Sequence, residues 1–283
     1  MTVAATAPDI LQPPDLGADI ERWLAEDVGD GDRTTEAIVP VDARTSATLL
    51  LREPGVVAGL GLARQVLAML DPDLRWVPLA VDGDGVGAGP VAHLEARARA
   101  VLTGERLALN LLGRLSGIAT LTRGYVDAVA GTRAVILDTR KTTPGLRAAE
   151  KWAVRCGGGT NHRMGLHDAV LIKDNHLLHA ADLPAAVRLA RRAGLPVEVE
   201  CDTLEQVAQA LDAGADRILL DNMSLTDLRA AVARVDGRVP LEASGGVTLD
   251  TVAGIAATGV DLISVGALTH GARSLDVALE IDA

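Results

Sequence analysis

The sequence predicts an α/β protein in two parts: a small N-terminal α/β domain with an open sheet, then an incomplete (β/α) barrel. Three observations carry this. From residue 134 onward, short apolar runs alternate with helical segments at regular spacing. Before that, two stretches alternate apolar and polar residues, the pattern of a sheet wet on one face. Finally, 48% of the 283 residues are hydrophobic, with no Phe and one Tyr, so the core is built of Leu, Val, Ile and Ala. The expected division is a flexible tail over 1–14, an N-terminal domain over 15–117 and the barrel over 118–283. The last helix is a candidate for packing back on the N-terminal domain.

A formal net charge of -11 argues against a nucleic-acid or membrane surface. No apolar run is long enough to span a membrane, and the first residues lack the basic and apolar regions of a signal peptide. Cys156 and Cys201 have no metal-type spacing and read as free thiols in a reducing compartment, so a cytoplasmic location is expected.

Residues 16–27 place Ile20, Trp23 and Leu24 on one helical face, and Gly29 and Gly31 stop that helix in a polar loop, VGDGDRTT. The aspartates here lack the spacing and closing Glu of a calcium loop. Residues 44–52 and 91–102 read as strands, the first alternating Thr45, Ala47, Leu49 and Leu51, the second alternating from Ala92 to Ala100. Between them lie a helix over 59–70, a short strand near Leu74–Leu79 and a glycine-rich turn, DGDGVGAG. GVGAG mimics a dinucleotide fingerprint but precedes a strand rather than a helix, which removes that reading. A long helix follows over 103–130, with Thr103 as N-cap and Arg106 in the first turn. A basic side chain there opposes the helix dipole. Two readings of Arg106 stay open: a tolerated surface arginine, or one that joins the helix terminus in facing an anion.

Six apolar runs come next: AVILD (134–138), AVLIK (169–173), PVEVE (196–200), RILLD (217–221), VPLEA (239–243) and DLISV (261–265). Separated by helices, they imply βαβ units and a parallel sheet buried on both faces, a barrel of TIM type short of eight strands. Their ends gather on one face, where such barrels build active sites. The first ends at Asp138, ahead of Thr139, Arg140 and Lys141; the next three end at Lys173, Glu200 and Asp221. The last two run into Ser244-Gly245-Gly246 and Val265-Gly266-Ala267. A single polar strand end needs no explanation beyond nearby solvent. Charged ends in concert with two glycine turns point to a site.

The stretch from Asp138 to His176 concentrates the basic chemistry. It holds every lysine of the chain, Lys141, Lys151 and Lys173, with four arginines and three of the six histidines. Lys151, Arg147 and Arg155 read as helix-surface residues facing outward or toward a partner copy. Trp152 and Met164 read as packing, His167 and His176 as hydrogen-bonded structural histidines. CGGGTNHRMGLHD (156–168) carries Asn161, His162 and Arg163 on a loop at the barrel mouth. The glycine turns suit a phosphate, which backbone N–H groups can approach closely, with His270 in reach. Arg106, Arg140, His162, Arg163 and Lys173 suit carboxylates. Glu200 and Asp221 beside a phosphate call for a cation, and Mg2+ takes one or two carboxylates plus phosphate oxygens. The site reads as one for a phosphorylated, metal-bound substrate and a separate carboxylated one.

DTRKTTPGLRAAEKWAVRCGGGTNHRMGLHDAVLIKDNH resembles the matching stretch of quinolinate phosphoribosyltransferases, also called nicotinate-nucleotide pyrophosphorylases (carboxylating). EDVGDGD (26–32), TGERLALNLLGRLSGIAT (103–120), VEVE (197–200), LLDN (219–222), EASGG (242–246) and SVGALTH (264–270) extend the resemblance in order along nearly the whole chain. It implies a homodimer, with further assembly open, in which one subunit's N-terminal domain covers the other's barrel mouth and Arg106 comes from the neighbouring subunit. It implies substrate binding at Thr139, Arg140, Lys141, His162, Arg163 and Lys173, and an acidic pair, Glu200 and Asp221, near ribose and metal. Phosphate binding is implied at Ser244, Gly245, Gly246, Val265, Gly266, Ala267 and His270.

The reaction so implied converts quinolinate and phosphoribosyl pyrophosphate to nicotinate mononucleotide, CO2 and pyrophosphate, a pentosyl transfer of de novo NAD biosynthesis. Lys141, Glu200 and Asp221 are the expected catalytic residues. The carboxylates oppose charge on an oxocarbenium-like carbon, and Lys141 with Arg140 holds leaving-group or carboxylate charge. The rival readings are a Schiff-base barrel aldolase using Lys173, a phosphoribosyltransferase acting on another heterocycle, and a non-catalytic phosphometabolite sensor.

Overall fold

The structure, a computed structural model, describes residues 13–282. The expected flexible tail falls largely on residues 1–12, outside the described residues. In chain order the elements are α1 (Gly17–Val28), α2 (Arg33–Ile38), β1 (Arg44–Leu51), β2 (Gly55–Val56), α3 (Leu60–Leu70), β3 (Arg75–Pro78), β4 (Gly85–Val86), β5 (Gly89–Arg97) and α4 (Ala98–Ala128). Then come β6 (Val135–Leu137), α5 (Arg147–Cys156), β7 (Val170–Ile172), α6 (Asp174–Leu177), α7 (Leu183–Ala190), β8 (Val197–Cys201), α8 (Leu204–Asp212) and β9 (Arg217–Asp221). The chain closes with α9 (Leu225–Val235), β10 (Leu241–Ser244), α10 (Leu249–Ala256), β11 (Leu262–Ser264), α11 (Ala267–His270) and β12 (Val277–Ile281). One compact unit takes the chain through Leu121 together with Ala148–Gly158 and the stretch from Ala272. The other takes Thr122–Arg147 and Gly159–Gly271.

The first unit is built on a four-stranded antiparallel sheet, β12-β1-β5-β3. The alternation read in the sequence is that of β1, where Ala47, Leu49 and Leu51 are buried. Three expectations need correction here. The strand expected over 91–102 stops at Arg97, because its partner β1 begins at Arg44, which pairs with Arg97. The alternating Ala and Arg beyond it are strong helix formers and open α4 instead. Thr103 is therefore inside the helix and not its N-cap; its hydroxyl donates to Asp32 Oδ2 at 3.0 Å. The last element is strand β12, not a helix, and it pairs antiparallel with β1. The polar loop after α1 contains α2, capped by Asp32, which accepts from the Thr35 N–H at 3.0 Å.

Helix α4 buries Val101, Ala108, Leu112, Leu115 and Ile118, a stripe at three- and four-residue spacing. Each fully buried leucine contributes roughly 1.5–3 kcal/mol. Its Ser116 hydroxyl satisfies both the N–H and the carbonyl of Ala58, at 3.0 and 3.1 Å. Helix α5, the middle of the lysine-bearing stretch, belongs almost wholly to this unit. Lys151, expected on a helix surface, is fully buried, as is its neighbour Glu150, which accepts from Arg114 at 2.9 Å. Trp152 does pack inside, its Nε1–H donating to Asp82 at 3.2 Å.

The second unit holds all six apolar runs as parallel strands, in the order β6-β11-β10-β9-β8-β7. Every strand neighbours the next in sequence except β6 and β7, which do not pair among the described strands. The sheet thus winds as a barrel that stays open at one seam. The open edge of β6 is covered by the segment after α5: Thr160 bridges Leu137, donating to the Ile136 carbonyl at 2.9 Å and accepting from the Asp138 N–H at 3.2 Å. On one face, Val197, Val199, Cys201, Ile218, Leu220, Leu241 and Ala243 are at most 2% exposed. That face is the aliphatic, helix-covered one. Among the described residues, no helix is long and apolar enough to cross a membrane.

Candidate active site

Strand register decides what the other face presents. Cross-strand partners share a face. Leu171 pairs with Glu198 and Glu198 with Arg217; Glu200 pairs with Leu219, Leu219 with Glu242; Asp221 pairs with Ser244. The inner face of the barrel is therefore largely polar. It opens into a cavity of about 790 Å³ lined wholly by residues of the second unit.

The cavity gathers most of the residues singled out in the sequence. Arg140, Lys141, His162, Arg163 and Lys173 line it with Thr139, as do Glu200 and Asp221. Ser244, Gly245 and Gly246 of one turn, and Gly266, Ala267 and His270 of the other, complete it. Two residues stand outside. Arg106, exposed in the third turn of α4 rather than the first, is not among the lining residues. Val265 is buried, and its N–H is taken by the Leu137 carbonyl at 2.9 Å, which removes it as a phosphate donor. Met164, read as packing, is 40% exposed. His176 is structural as expected, its Nδ1 accepting from the Lys173 N–H at 2.9 Å.

The cationic half is held by buried polar contacts. Asp138, fully buried at the end of β6, accepts from Asn161 Nδ2 at 2.6 Å and the His162 N–H at 2.8 Å, clamping the segment that bears His162 and Arg163. Arg163 donates to the Ala169 carbonyl at 3.1 Å. Burial, and then the charge of Arg140, pull the Arg163 pKa below the usual guanidinium value. Arg140 Nε is buried without a hydrogen-bond partner. Lys141 is set by Thr139 Oγ1, which accepts its N–H at 3.0 Å, and by the Thr269 hydroxyl, which donates to its carbonyl at 2.8 Å. Gly266 has an ordinary φ of -63°, so space and not conformation calls for glycine: a Cβ there would lie 3.0 Å from Lys141 Cδ and 3.2 Å from His270 Nε2.

At the floor of the cavity His162 joins a cluster whose glutamates, Glu198 and Glu242, the sequence reading missed. His162 Nε2 is 3.0 Å from Glu198 and 3.5 Å from Glu242, while its Nδ1 accepts from the Arg163 N–H at 2.7 Å. Arg217 and Ser264 also bond Glu242, Arg217 at 3.1 Å. Burial alone lowers the His162 pKa, but the hydrogen bonds and charges of the two glutamates outweigh it and push it up to about 9. The Arg163 N–H at Nδ1 favours the neutral ring; two buried carboxylates at Nε2 are the stronger influence. Burial raises the Glu198 carboxyl, and its Oε1 has no hydrogen-bond partner. Burial works the same way on Glu242, yet His162, Ser264 and Arg217 hold it below the usual glutamate range.

The acidic half pairs with its surroundings. Lys173 Nζ forms an ion pair with Glu200, and Asp221 accepts from Asn222 Nδ2 at 2.7 Å. Asn222 and Thr248, not singled out in the sequence, also line the cavity.

The sequence matches the family described as "Quinolinate phosphoribosyl transferase, N-terminal domain" over residues 32–116 and its C-terminal domain over residues 118–280. It is 47% identical to a nicotinate-nucleotide pyrophosphorylase [carboxylating] of Mycobacterium leprae, across 93% of this chain and 95% of that protein. It is 43% identical to a probable enzyme of the same name from Synechocystis, across 99% and 97%. The fold superposes on the nicotinate-nucleotide pyrophosphorylase of Francisella tularensis with a TM-score of 0.90 at 38% identity, covering 98% of this chain and 100% of that one.

Proposed function

The chain belongs to the quinolinate phosphoribosyl transferase family, and on that premise we propose how its cavity works. The protein is a pentosyltransferase that joins quinolinate to the phosphoribosyl group of phosphoribosyl pyrophosphate and decarboxylates the adduct, a step toward NAD. The observation that carries the site reading is the buried, unpartnered Nε of Arg140 facing the charge of Arg163. Buried donors in native proteins have partners, so a donor left open in a cationic cavity is one that an anion completes.

Arg140, Arg163 and Lys173 bind the two ring carboxylates, His162 anchors the loop that carries Arg163, and Lys141 and His270 with the glycine turns bind phosphate. The pyridine nitrogen forms its bond to the anomeric carbon as the bond to pyrophosphate breaks. Glu200 and Asp221 oppose the positive charge that develops on that carbon. When the adjacent carboxylate departs as CO2, its bonding pair stays on the ring carbon as a carbanion that the now quaternary, positively charged ring nitrogen stabilises, and a proton from solvent then fills that carbon. Lys173 Nζ, paired with Glu200, is not presented as the free amine a Schiff-base aldolase needs.

Mg2+ fits as cofactor. Among the described residues, the one group of three gathered ligand side chains, His162, Glu198 and Glu242, is engaged internally. Glu200 and Asp221 offer two carboxylates on the cavity wall, a donor set suited to an ion that takes its remaining ligands from water and phosphate. Bound there, it would neutralise pyrophosphate charge. We further propose a homodimer in which Arg106 of the partner subunit completes the cavity; its exposure on α4 leaves it available. The buried free thiols of Cys156 and Cys201 favour a reducing, cytoplasmic location.

The test is incubation with quinolinate, phosphoribosyl pyrophosphate and Mg2+, measuring nicotinate mononucleotide and CO2. One CO2 per nucleotide is expected. No product from folded protein, or equal turnover of nicotinate without CO2, would refute the assignment.

A further inference from the structure

The junction between β9 and the turn after β10 holds a contact that ordinary strand geometry forbids. Successive side chains on a strand point to opposite faces, so Asp221 and Asn222 should not meet. They meet because Asn222 leaves the strand with φ at 53°, a left-handed conformation that asparagine tolerates better than most residues. The turn is held by the Asn222 N–H, which donates to the Ser244 carbonyl at 2.9 Å and carries the β9–β10 pairing one residue past the strand. The side-chain amide then does two things. Its Nδ2 donates to Asp221 at 2.7 Å. The rest of the amide occupies the space beside residue 245, where a Cβ would overlap Oδ1 and lie 2.5 Å from Cγ. Gly245 itself sits at φ 94°.

We propose that Asn222 is a positioning residue that locks the Asp221 carboxylate to the Ser244–Gly246 turn, setting the acid and the phosphate-facing turn as one unit for phosphoribosyl pyrophosphate. The proposal rests on the functional reading above, which makes Asp221 and this turn the phosphoribosyl side of the cavity. Without the amide, Asp221 is free to take other rotamers and the turn loses the group that fills the space over Gly245. The quinolinate side, set by Asp138 through Asn161 and the His162 N–H, has no such dependence. The effect of Asn222 is therefore confined to one substrate.

The experiment is calorimetric binding of phosphoribosyl pyrophosphate with Mg2+, and separately of quinolinate, to wild type, N222G, N222A and N222D, with KM and kcat measured alongside. N222G keeps the left-handed backbone and removes only the amide. Expected is roughly ten- to a hundredfold weaker phosphoribosyl pyrophosphate binding in N222G and N222A, the scale of losing a hydrogen bond to a charged group. Quinolinate affinity should stay within about twofold by the same reasoning, since its contacts lie elsewhere. N222D, which sets a second carboxylate against Asp221, should be weaker still. G245A should lose less affinity in the N222G background than in wild type, because the overlap with the amide is gone. Wild-type affinity in N222G, or equal loss for both substrates, would overturn the proposal. Binding is read without turnover, so a wild type that binds phosphoribosyl pyrophosphate but makes no nucleotide would refute the proposed function and leave these comparisons standing.

Discussion

Replacing Asp138 separates the scaffold of the site from its chemistry. Asp138 is fully buried and accepts from Asn161 Nδ2 at 2.6 Å and from the His162 N–H at 2.8 Å. A hydrogen bond to a charged group contributes about 1.5–3 kcal/mol, so D138A, which strands two donors, is expected to cost roughly 3–6 kcal/mol. D138N keeps the shape but loses the charge and turns one donor toward another; about half that cost is expected. Domains are commonly stable by only about 5–15 kcal/mol, so the larger loss is plainly measurable. The assay is the urea midpoint for each variant, with quinolinate affinity measured on the folded protein. Both should fall together, because the same segment positions His162 and Arg163 in the cavity. A D138A midpoint shift worth under about 1 kcal/mol, with quinolinate affinity within twofold, would refute the claim that this carboxylate clamps the segment.

The His162 cluster predicts a pH dependence of stability. The folded pKa of about 9 lies above the unfolded value, so the contribution is complete below about pH 6.5 and is lost as pH rises through 9. It amounts to about 3 kcal/mol, and urea midpoints from pH 6 to 10 should fall in wild type and flatten in H162N. R140A should weaken quinolinate binding about ten- to a hundredfold in calorimetry while leaving the thermal midpoint nearly unchanged, because Nε has no partner to lose. R106A and K173A, each inactive alone, should regain partial turnover when mixed and allowed to exchange subunits; none at all would place Arg106 in its own chain's site. Burial raises both thiols, that of Cys201 to about 12, so iodoacetamide at pH 8 should label neither until the chain is unfolded.

The parts of the fold that the sequence announces are those whose pattern has one physical solution. Six Val/Ile/Leu runs between helices have to become parallel strands covered by helices, and they do. The errors fall where composition permits two outcomes. Residues 92–100 alternate like a strand but from Ala96 onward consist of Ala and Arg, which favour helix, and only the start of β1 at Arg44 decides where pairing ends. The C-terminal VALEI is short enough to be either element until a strand edge is there to receive it. Lys151 looked solvated because lysine usually is. Its burial depends on α5 joining the first unit, a long-range event with no local signature.

The site shows the same division at higher resolution. Strand ends were legible because a barrel collects them on one face, but treating each run as uniformly apolar hid the inner face. VEVE alternates, and the period that puts Glu200 in the cavity wall puts Glu198 beneath it; LEAS alternates likewise and turns Glu242 and Ser244 to the same inner face. The signal was present, and what it lacked was a reason for buried carboxylates. The open seam supplies it. Because β6 and β7 do not pair, the segment clamped by Asp138 enters there and delivers His162 to the barrel interior, where Glu198 and Glu242 meet it with opposite charge. A closed aliphatic barrel would have no place for those glutamates, since unpaired buried carboxylates are strongly unfavourable. The missing closure of the sheet, the ionised interior and the loop that carries Arg163 are thus consequences of one another, which is why removing Asp138 should loosen all three.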